Sequence, residues 1–203
     1  MSNITKDAVI LYSGGMDSTV LLHDLLKQGY RVHPLFFSYG QGATFGEKVK
    51  ASYWLTKYNI NAHLIFLPKM DWTSSSTVKG SGTEYVEARN VIFLSYAMSY
   101  AEANKIPEIY TGFIGLNYYP DTDPLFVKMM NEVSTHVSGV QIKAPYVRWG
   151  KDDVFQHALN MGMDGLELLD NTISCNLAFN DITCGECPDC LARADYRSWI
   201  TAE

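Results

Sequence analysis

Two groups of residues in this chain are of the types and at the spacing that chemistry needs. The first is Ser13–Gly14–Gly15–Met16–Asp17–Ser18–Thr19. An apolar run of strand character, Ala8–Val9–Ile10–Leu11–Tyr12, stops at two glycines, and a helical pattern (Val20, Leu21, Leu22, Leu25, Leu26) begins at once. Small and hydroxyl-bearing turn residues let backbone N–H groups close on an anion, and the helix dipole adds partial positive charge there. Phosphate is the guest that suits such a turn. No Gly-Lys-Ser/Thr follows, so the loop is not a Walker A motif, and it lacks the Gly-x-Gly-x-x-Gly of dinucleotide folds. A plainer reading is a tight turn closed by residues that cap helices well, Asp17, Ser18 and Thr19.

The second group is Cys175, Cys184, Cys187 and Cys190, the only cysteines in the chain. Clustering of this kind in a reducing compartment reads as metal ligation rather than disulfide bonding. Four thiolates suit a tetrahedral structural zinc, with Gly185 closing one tight loop and Pro188 stiffening the next. An iron–sulfur cluster is the rival, although the ferredoxin spacing is not matched. A closed four-thiolate site leaves no position for water, so its role is structural. The five histidines show no mutual metal spacing and receive no role.

The elements that must position these groups alternate. Strands are expected at Arg31–Ser38, Ala62–Leu67, Glu108–Phe113 and Gln141–Ala144, after the first at Ala8–Tyr12. Helices are expected at Glu47–Tyr58, Val86–Lys105, Asp123–Val137 and Lys151–Asn160, with a polar loop over Lys69–Thr83 and a cysteine-bearing tail. That order predicts an α/β fold: a doubly wound, mostly parallel five-stranded sheet of Rossmann type, covered by helices on both faces. Ligands of such folds bind at the carboxyl ends of the strands, where Ser13–Ser18 falls. With 203 residues, 47% of them hydrophobic, one domain over residues 1–203 is expected, with the cysteine segment 172–193 inside it. Sixteen basic against 22 acidic side chains give a net charge of −6, which disfavours direct nucleic-acid binding and favours a small-molecule ligand. No apolar run reaches membrane-spanning length and no signal-peptide pattern opens the chain, so a cytoplasmic location without membrane contact is expected.

The loop resembles the Ser-Gly-Gly-x-Asp-Ser of the N-type ATP pyrophosphatases, the PP-loop superfamily, which has an adenine nucleotide alpha hydrolase-like fold. Further segments narrow the likeness. Tyr39–Gly40–Gln41 resembles an Asp-Tyr-Gly-Gln motif with Ser38 in place of Asp, and Arg89–Asn90 resembles a Pro-Gly-Arg-Asn motif with Glu87–Ala88 in place of Pro-Gly. Tyr119–Pro120–Asp121 with Pro124–Phe126, Thr172–Ser174–Cys175, and Cys184–Gly185–Cys187–Cys190–Leu191–Arg193 complete the pattern. Together they make the chain similar to the 7-cyano-7-deazaguanine synthase family (QueC-like) of queuosine and deazapurine biosynthesis, over nearly its full length.

The resemblance implies ATP-dependent conversion of 7-carboxy-7-deazaguanine and ammonia to the 7-nitrile through an adenylated carboxylate, with magnesium on the phosphates, structural zinc on the four cysteines, and a homodimer. It assigns ATP to the run Tyr12, Ser13, Gly14, Gly15, Met16, Asp17, Ser18, Thr19, Val20, Leu21 and Leu22. Ser13, Asp17, Arg89 and Lys151 would carry catalysis, and Tyr39, Gln41, Asn90 and Asp121 would hold the deazapurine. Asp17 either caps the helix, the preferred reading, or faces magnesium. Arg89 suits phosphate or carboxylate, unless it forms a surface salt bridge instead. Lys151 either reaches phosphate or is a solvated helix-start lysine, and Asp121 either reads the base or is a turn residue. Thr122 and Asp123 stand where the family has Cys-Arg, and Gly115–Leu116–Asn117–Tyr118 replaces Asp-Tyr-Ser-Gly. Losing a cation beside a carboxylate substrate leaves open a 7-amido product or a related deazapurine. A different ATP pyrophosphatase acting on tRNA, and a nucleotide sensor without turnover, are the competing functions.

Overall fold

The structure, a computed structural model, describes residues 6–41, 43–70, 73–74, 85–115, 119–175, 178 and 182–201. Its centre is β1 (Asp7–Leu11), whose apolar run Ala8–Leu11 is covered on both faces of the sheet. β2 (Arg31–Ser38) and β3 (His63–Phe66) extend the sheet on one side, and β6 (Glu108–Tyr110) and β7 (Gln141–Lys143) extend it on the other, in the order β3-β2-β1-β6-β7. Every pairing in this sheet is parallel, with Leu11 opposite Leu35 and Ile10 opposite Tyr110. The chain winds outward from β1 and returns to its other side at β6. The topological switch therefore lies between the carboxyl ends of β1 and β6, where such folds open a crevice for ligands. Two short strands, β4 (Thr73–Ser74) and β5 (Tyr85–Val86), pair antiparallel outside this sheet.

Alternation along β1 sends Ala8 and Ile10 to one core and Val9 to the other. The first core takes α1 (Met16–Lys27), α2 (Thr44–Lys57), α5 (Lys151–Asn160), α6 (Gly165–Asp170) and α7 (Pro188–Thr201), through Leu22, Trp54, Phe155, Leu168 and Tyr196. The second takes α3 (Arg89–Ala103) and α4 (Pro124–Ser138), through Leu94, Ala97 and Met130. Helices thus cover both faces, as the alternation predicts. α4 shows how its ends are set: Asp123 accepts the Phe126 N–H at 2.6 Å, Pro124 occupies the first helical position, and Gly139 takes the left-handed turn after it (φ 72°).

Four expectations need correction. The strand expected over Glu108–Phe113 ends at Tyr110: the Thr111 N–H still reaches the Lys143 carbonyl, but Gly112 comes up against the start of α1. The long helix starts at Arg89 rather than Val86, because Val86 pairs with Thr73 and Ala88 is left-handed (φ 52°). The helix expected from Glu47 begins earlier, at Thr44. The cysteine-bearing tail holds two helices, α6 and α7, which the periodicity did not announce. Most of the expected loop over Lys69–Thr83, and Leu116–Tyr118, lie outside the described residues.

Candidate nucleotide site and cysteine centre

The Ser13–Thr19 loop is shaped by what crowds it. Gly14 is left-handed (φ 77°), and a Cβ there would sit 2.5 Å from the Glu47 carbonyl and 2.8 Å from the Ala51 nitrogen, so only glycine lets α2 approach. A Cβ on Gly15 would lie 3.2 Å from the Ile173 carbonyl, and the Ile173 N–H donates to the Gly14 carbonyl at 3.3 Å. Ser18 Oγ donates to the Gly15 carbonyl at 3.1 Å, and Ser13 Oγ accepts the Gly15 N–H at 3.2 Å. These bonds and close approaches hold the loop from within the fold.

Thr19 N–H makes the first helical bond, to Gly15, which leaves the N–H groups of Met16, Asp17 and Ser18 without a helical carbonyl. Gly112, just after β6, faces them: a Cβ there would stand 3.1 Å from the Ser18 nitrogen and cover it. This is a cradle of open donors at a helix N-terminus, kept clear by glycines at both strand ends, and it suits a phosphate chain. The side chains of Met16, Thr19, Val20, Leu21 and Leu22 are buried in the core, as is Tyr12, whose hydroxyl lies 3.4 Å from Thr19 Oγ1. Of the run assigned to ATP, these six have no side chain to offer a ligand.

Asp17 does not cap the helix. The cap position falls on Gly15, one residue before the first helical residue, so Asp17 lies inside the first turn. Its Oδ2 is 3.9 Å from Lys151 Nζ, and its buried Oδ1 has no hydrogen-bond partner among the described residues. An unpartnered carboxylate oxygen beside a phosphate cradle fits a hard cation such as magnesium. Burial pushes the Asp17 carboxyl above its usual range against the pull of Lys151. Lys151, the first residue of α5, is no solvated lysine: its Nζ is 2.5 Å from Asp189 Oδ1. Burial pulls its ammonium down, but Asp17 and Asp189 together raise it above the ordinary lysine value.

The residues expected to hold the deazapurine form two adjoining clusters at the carboxyl end of β2 and the start of α3. Arg89 donates to the Tyr39 hydroxyl at 2.6 Å and lies over the rings of Tyr39 and Phe93. Gln41 accepts the Tyr39 N–H at 2.9 Å and donates to Glu47 at 2.9 Å. Arg89 is therefore inside the cluster, not a surface salt bridge, and its buried Nε has no partner. Asn90 and Asp121 hold each other: the Asn90 N–H donates to Asp121 Oδ2 and its side-chain amide donates to the Asp121 carbonyl, both at 3.1 Å. Asp121 thereby serves the α3 N-terminus from a turn at Pro120–Thr122. A groove of about 520 Å³ along α2, lined by Val49, Tyr53 and Lys57 among others, includes none of these residues.

The four cysteine sulfurs all lie within 4.8 Å of one another, with Cys175 and Cys184 at 3.5 Å and Cys184 and Cys190 at 3.9 Å. A tetrahedron of thiolates about 2.3 Å from one zinc ion sets its sulfurs about 3.8 Å apart. The set fits a single ion, whereas a four-iron cluster interposes its own atoms and spreads its ligands further. Backbone N–H groups of Glu186 and Cys187 aimed at Cys184 lower its thiol to about 6. Arg193 on α7 ties the preceding segment down, donating to Thr172 Oγ1 at 3.1 Å, to the Thr172 carbonyl at 2.9 Å and to the Leu169 carbonyl.

Sequence reasoning missed Gly112, Thr111, Glu47 and Asp189. Gly112 left a signal, a lone glycine just past a strand; the remaining three become visible only through the pairing of elements far apart in the chain.

The fold, a parallel five-stranded α/β sheet with helices on both faces, is shared with enzymes of known structure. A 4-thiouridine synthetase solved with RNA and bound ATP superposes with a TM-score of 0.57 at 18% identity, over 97% of this chain and 52% of its own. NMN synthetase from Francisella tularensis does so with a TM-score of 0.53 at 17% identity, over 98% of this chain and 79% of its own. Residues 7–197 match the family of queuosine biosynthesis protein QueC, and the chain belongs to it. A relative named 7-cyano-7-deazaguanine synthase, from Rickettsia bellii, is 33% identical over 216 residues, covering 94% of this chain and 92% of its own. The chain is thus an enzyme of a queuosine biosynthesis family. No helix among the described residues is long and apolar enough to cross a membrane.

Proposed function

We propose that this enzyme is an ATP-dependent carbon–nitrogen ligase that converts 7-carboxy-7-deazaguanine and ammonia to 7-cyano-7-deazaguanine. The observation that carries the proposal is the open N–H cradle of Met16–Ser18 at the sheet's switch point, in a chain of the QueC family. A carboxylate is a poor electrophile, and the cradle addresses that. With the β- and γ-phosphates held by Ser13, the glycines and Ser18, the substrate carboxylate attacks the α-phosphorus and pyrophosphate leaves. Ammonia then displaces AMP from the acyl adenylate to give the amide. A second ATP adenylates the amide oxygen, and loss of AMP and a proton leaves the nitrile. Lys151 and the N–H groups offset charge on the departing pyrophosphate. Arg89 pairs with the carboxylate or a phosphate, and Tyr39, Gln41, Asn90 and Asp121 shape the deazapurine pocket.

Magnesium, held by the Asp17 oxygen that has no partner, would neutralise phosphate charge. Zinc on Cys175, Cys184, Cys187 and Cys190 would fix the tail and do no chemistry; the single-ion sulfur spacing supports it over an iron–sulfur cluster. Asp123, whose side chain caps α4, is committed away from a substrate carboxylate, which supports the nitrile over a halted amide. The reading includes the cytoplasm, where thiols stay reduced. It also includes a homodimer, for which the exposed row Leu125, Met129, Val133 and Val137 on α4 offers a face.

The test incubates the protein with 7-carboxy-7-deazaguanine, magnesium ATP and ammonium, followed by mass spectrometry. The expected products are the nitrile, AMP and pyrophosphate. Release of ADP and phosphate, or binding of ATP without turnover, overturns the reading. Elemental analysis of the purified protein should give one zinc per chain and no iron.

A further inference from the structure

Lys151 occupies an unfavourable place for a cation. It is the first residue of α5, where the helix dipole presents positive charge, and its side chain is only 24% exposed. Two carboxylates hold it there: Asp17 of the phosphate loop at 3.9 Å and Asp189 at 2.5 Å. Asp189 sits between two of the clustered cysteines, Cys187 and Cys190, in the first turn of α7. The same pair of helices is joined again two turns further along α7, where the Tyr196 hydroxyl donates to Asp152 at 2.5 Å and the rings of Phe155 and Tyr196 stack with centroids 4.4 Å apart. The cysteine segment thus meets the loop twice, through the Ile173 backbone at Gly14 and Gly15 and through the Asp189 side chain, which grips the lysine beside the loop's acid.

We propose that Asp189 is a positioning residue for nucleotide binding: it holds the Lys151 ammonium off Asp17 through one of its three N–H donors, so that the other donors can meet phosphate and Asp17 keeps an oxygen for a cation. Without the Asp189 carboxylate, the closest anion left to Lys151 is Asp17. The ammonium then collapses onto it, and one ion pair removes both a donor and an acceptor from the cradle. Because Asp189 lies between metal-type ligands, the order of the cysteine segment and the readiness of the loop are linked. This inference rests on the reading of the loop as an ATP site.

The experiment is a double-mutant cycle on the full chain, with magnesium ATP affinity measured by titration calorimetry and metal content measured in every variant. Wild type must bind ATP; if it does not, the ATP-site reading fails before the cycle begins. Asp189→Asn should weaken ATP binding by about tenfold, with the KM for the deazapurine acid unchanged and the metal retained. Lys151→Ala should weaken ATP similarly, and adding Asp189→Asn to it should change ATP affinity by less than twofold. Asp189→Glu should restore most of the affinity. Unaltered or tighter ATP binding in Asp189→Asn overturns the proposal. So does a full further loss in the Lys151→Ala background, which would mean that Asp189 acts through the cysteine segment at large rather than through Lys151.

Discussion

The phosphate loop and the cysteine segment are both irregular stretches whose shape decides function, and they hold that shape by opposite means. The loop is fixed by its frame. β1 runs into it, α2 presses on Gly14, Ile173 closes on Gly15, and Gly112 closes on the Asp17–Ser18 peptide. Such a frame tolerates unmet polar atoms, and Asp17 Oδ1, Arg89 Nε and Thr111 Oγ1 are buried around this edge of the sheet without partners. The cysteine segment has little frame. Its buried cluster is small, comprising Ala43, Ile173, Cys175, Ala178 and Cys187, and what converges there is four sulfurs. One region takes its shape from the fold around it; the second brings together four sulfurs that could hold a metal, and under the reading proposed above that metal would fix its shape. A rigid frame stores unsatisfied groups for chemistry, whereas a knuckle built around a metal would serve only to hold position.

The largest expected effect tests the second half of that contrast. Cys184→Ser, or prolonged chelation, should abolish metal binding and loosen α7, because a structural zinc supplies folding free energy of about 10–16 kcal/mol in small zinc modules. Hydrogen exchange should then rise across 184–201 while β1 and α1 stay protected. Loss of protection in β1 as well would erase the distinction between the two regions.

Next in size is Gly14→Ala. The new methyl meets backbone at 2.5 and 2.8 Å, in a left-handed conformation that alanine resists. A destabilisation of about 3 kcal/mol and loss of ATP binding are expected, with metal content unchanged. An alanine variant that binds ATP as wild type does would show that the loop adapts to its ligand as the knuckle does.

The same contrast explains what was legible. The β1–loop–α1 unit could be read because its signals are local: an apolar run, two glycines, then helical spacing. The order of strands followed from alternation, and the four cysteines announced themselves. α7 could not be read, since only Tyr196 of its residues is fully buried and charges interrupt its apolar spacing. The cap reading of Asp17 failed by position, because the helix begins at Met16 and the cap falls on Gly15. The Lys151–Asp189 pair and the approach of Gly112 depend on which elements sheet order brings together, and no local pattern records that.

A smaller effect separates the regions by pH. On β6, Glu108 accepts Lys143 Nζ at 2.5 Å and the hydroxyls of Tyr30 and Tyr110 at 3.0 Å. Burial raises its carboxyl, but these donors outweigh burial and hold it below the usual glutamate range. Its stabilisation is therefore fully present above the ordinary glutamate value and disappears as pH falls through its lowered one. Glu108→Gln should cost about 1 kcal/mol at neutral pH in denaturant titrations, the pair being partly exposed, and nothing in strong acid. In the wild type, thiolate protonation should release the metal and free α7 at a higher pH than the one at which the sheet weakens. A single acid transition, with metal and sheet lost together, would show that the two regions fold as one.

The smallest effect bears on the stored groups themselves. Thr111 is wholly buried at the carboxyl end of β6, beside Gly112 and the loop, and its hydroxyl has no partner. A buried hydroxyl left unpaired costs about 1–3 kcal/mol, whereas an apolar group of the same shape costs nothing there. Thr111→Val should therefore leave the melting temperature unchanged or raise it by a few degrees. If the hydroxyl is held unpaired for the ligand, the same substitution should weaken ATP binding several-fold, giving a variant that is more stable and less competent. Stability and binding moving in opposite directions is the signature of a frame that keeps polar atoms unmet. A Thr111→Val protein that is markedly less stable than wild type would mean that the hydroxyl is already satisfied, and the contrast between a loop that stores unmet groups and a knuckle that does not would lose its clearest instance.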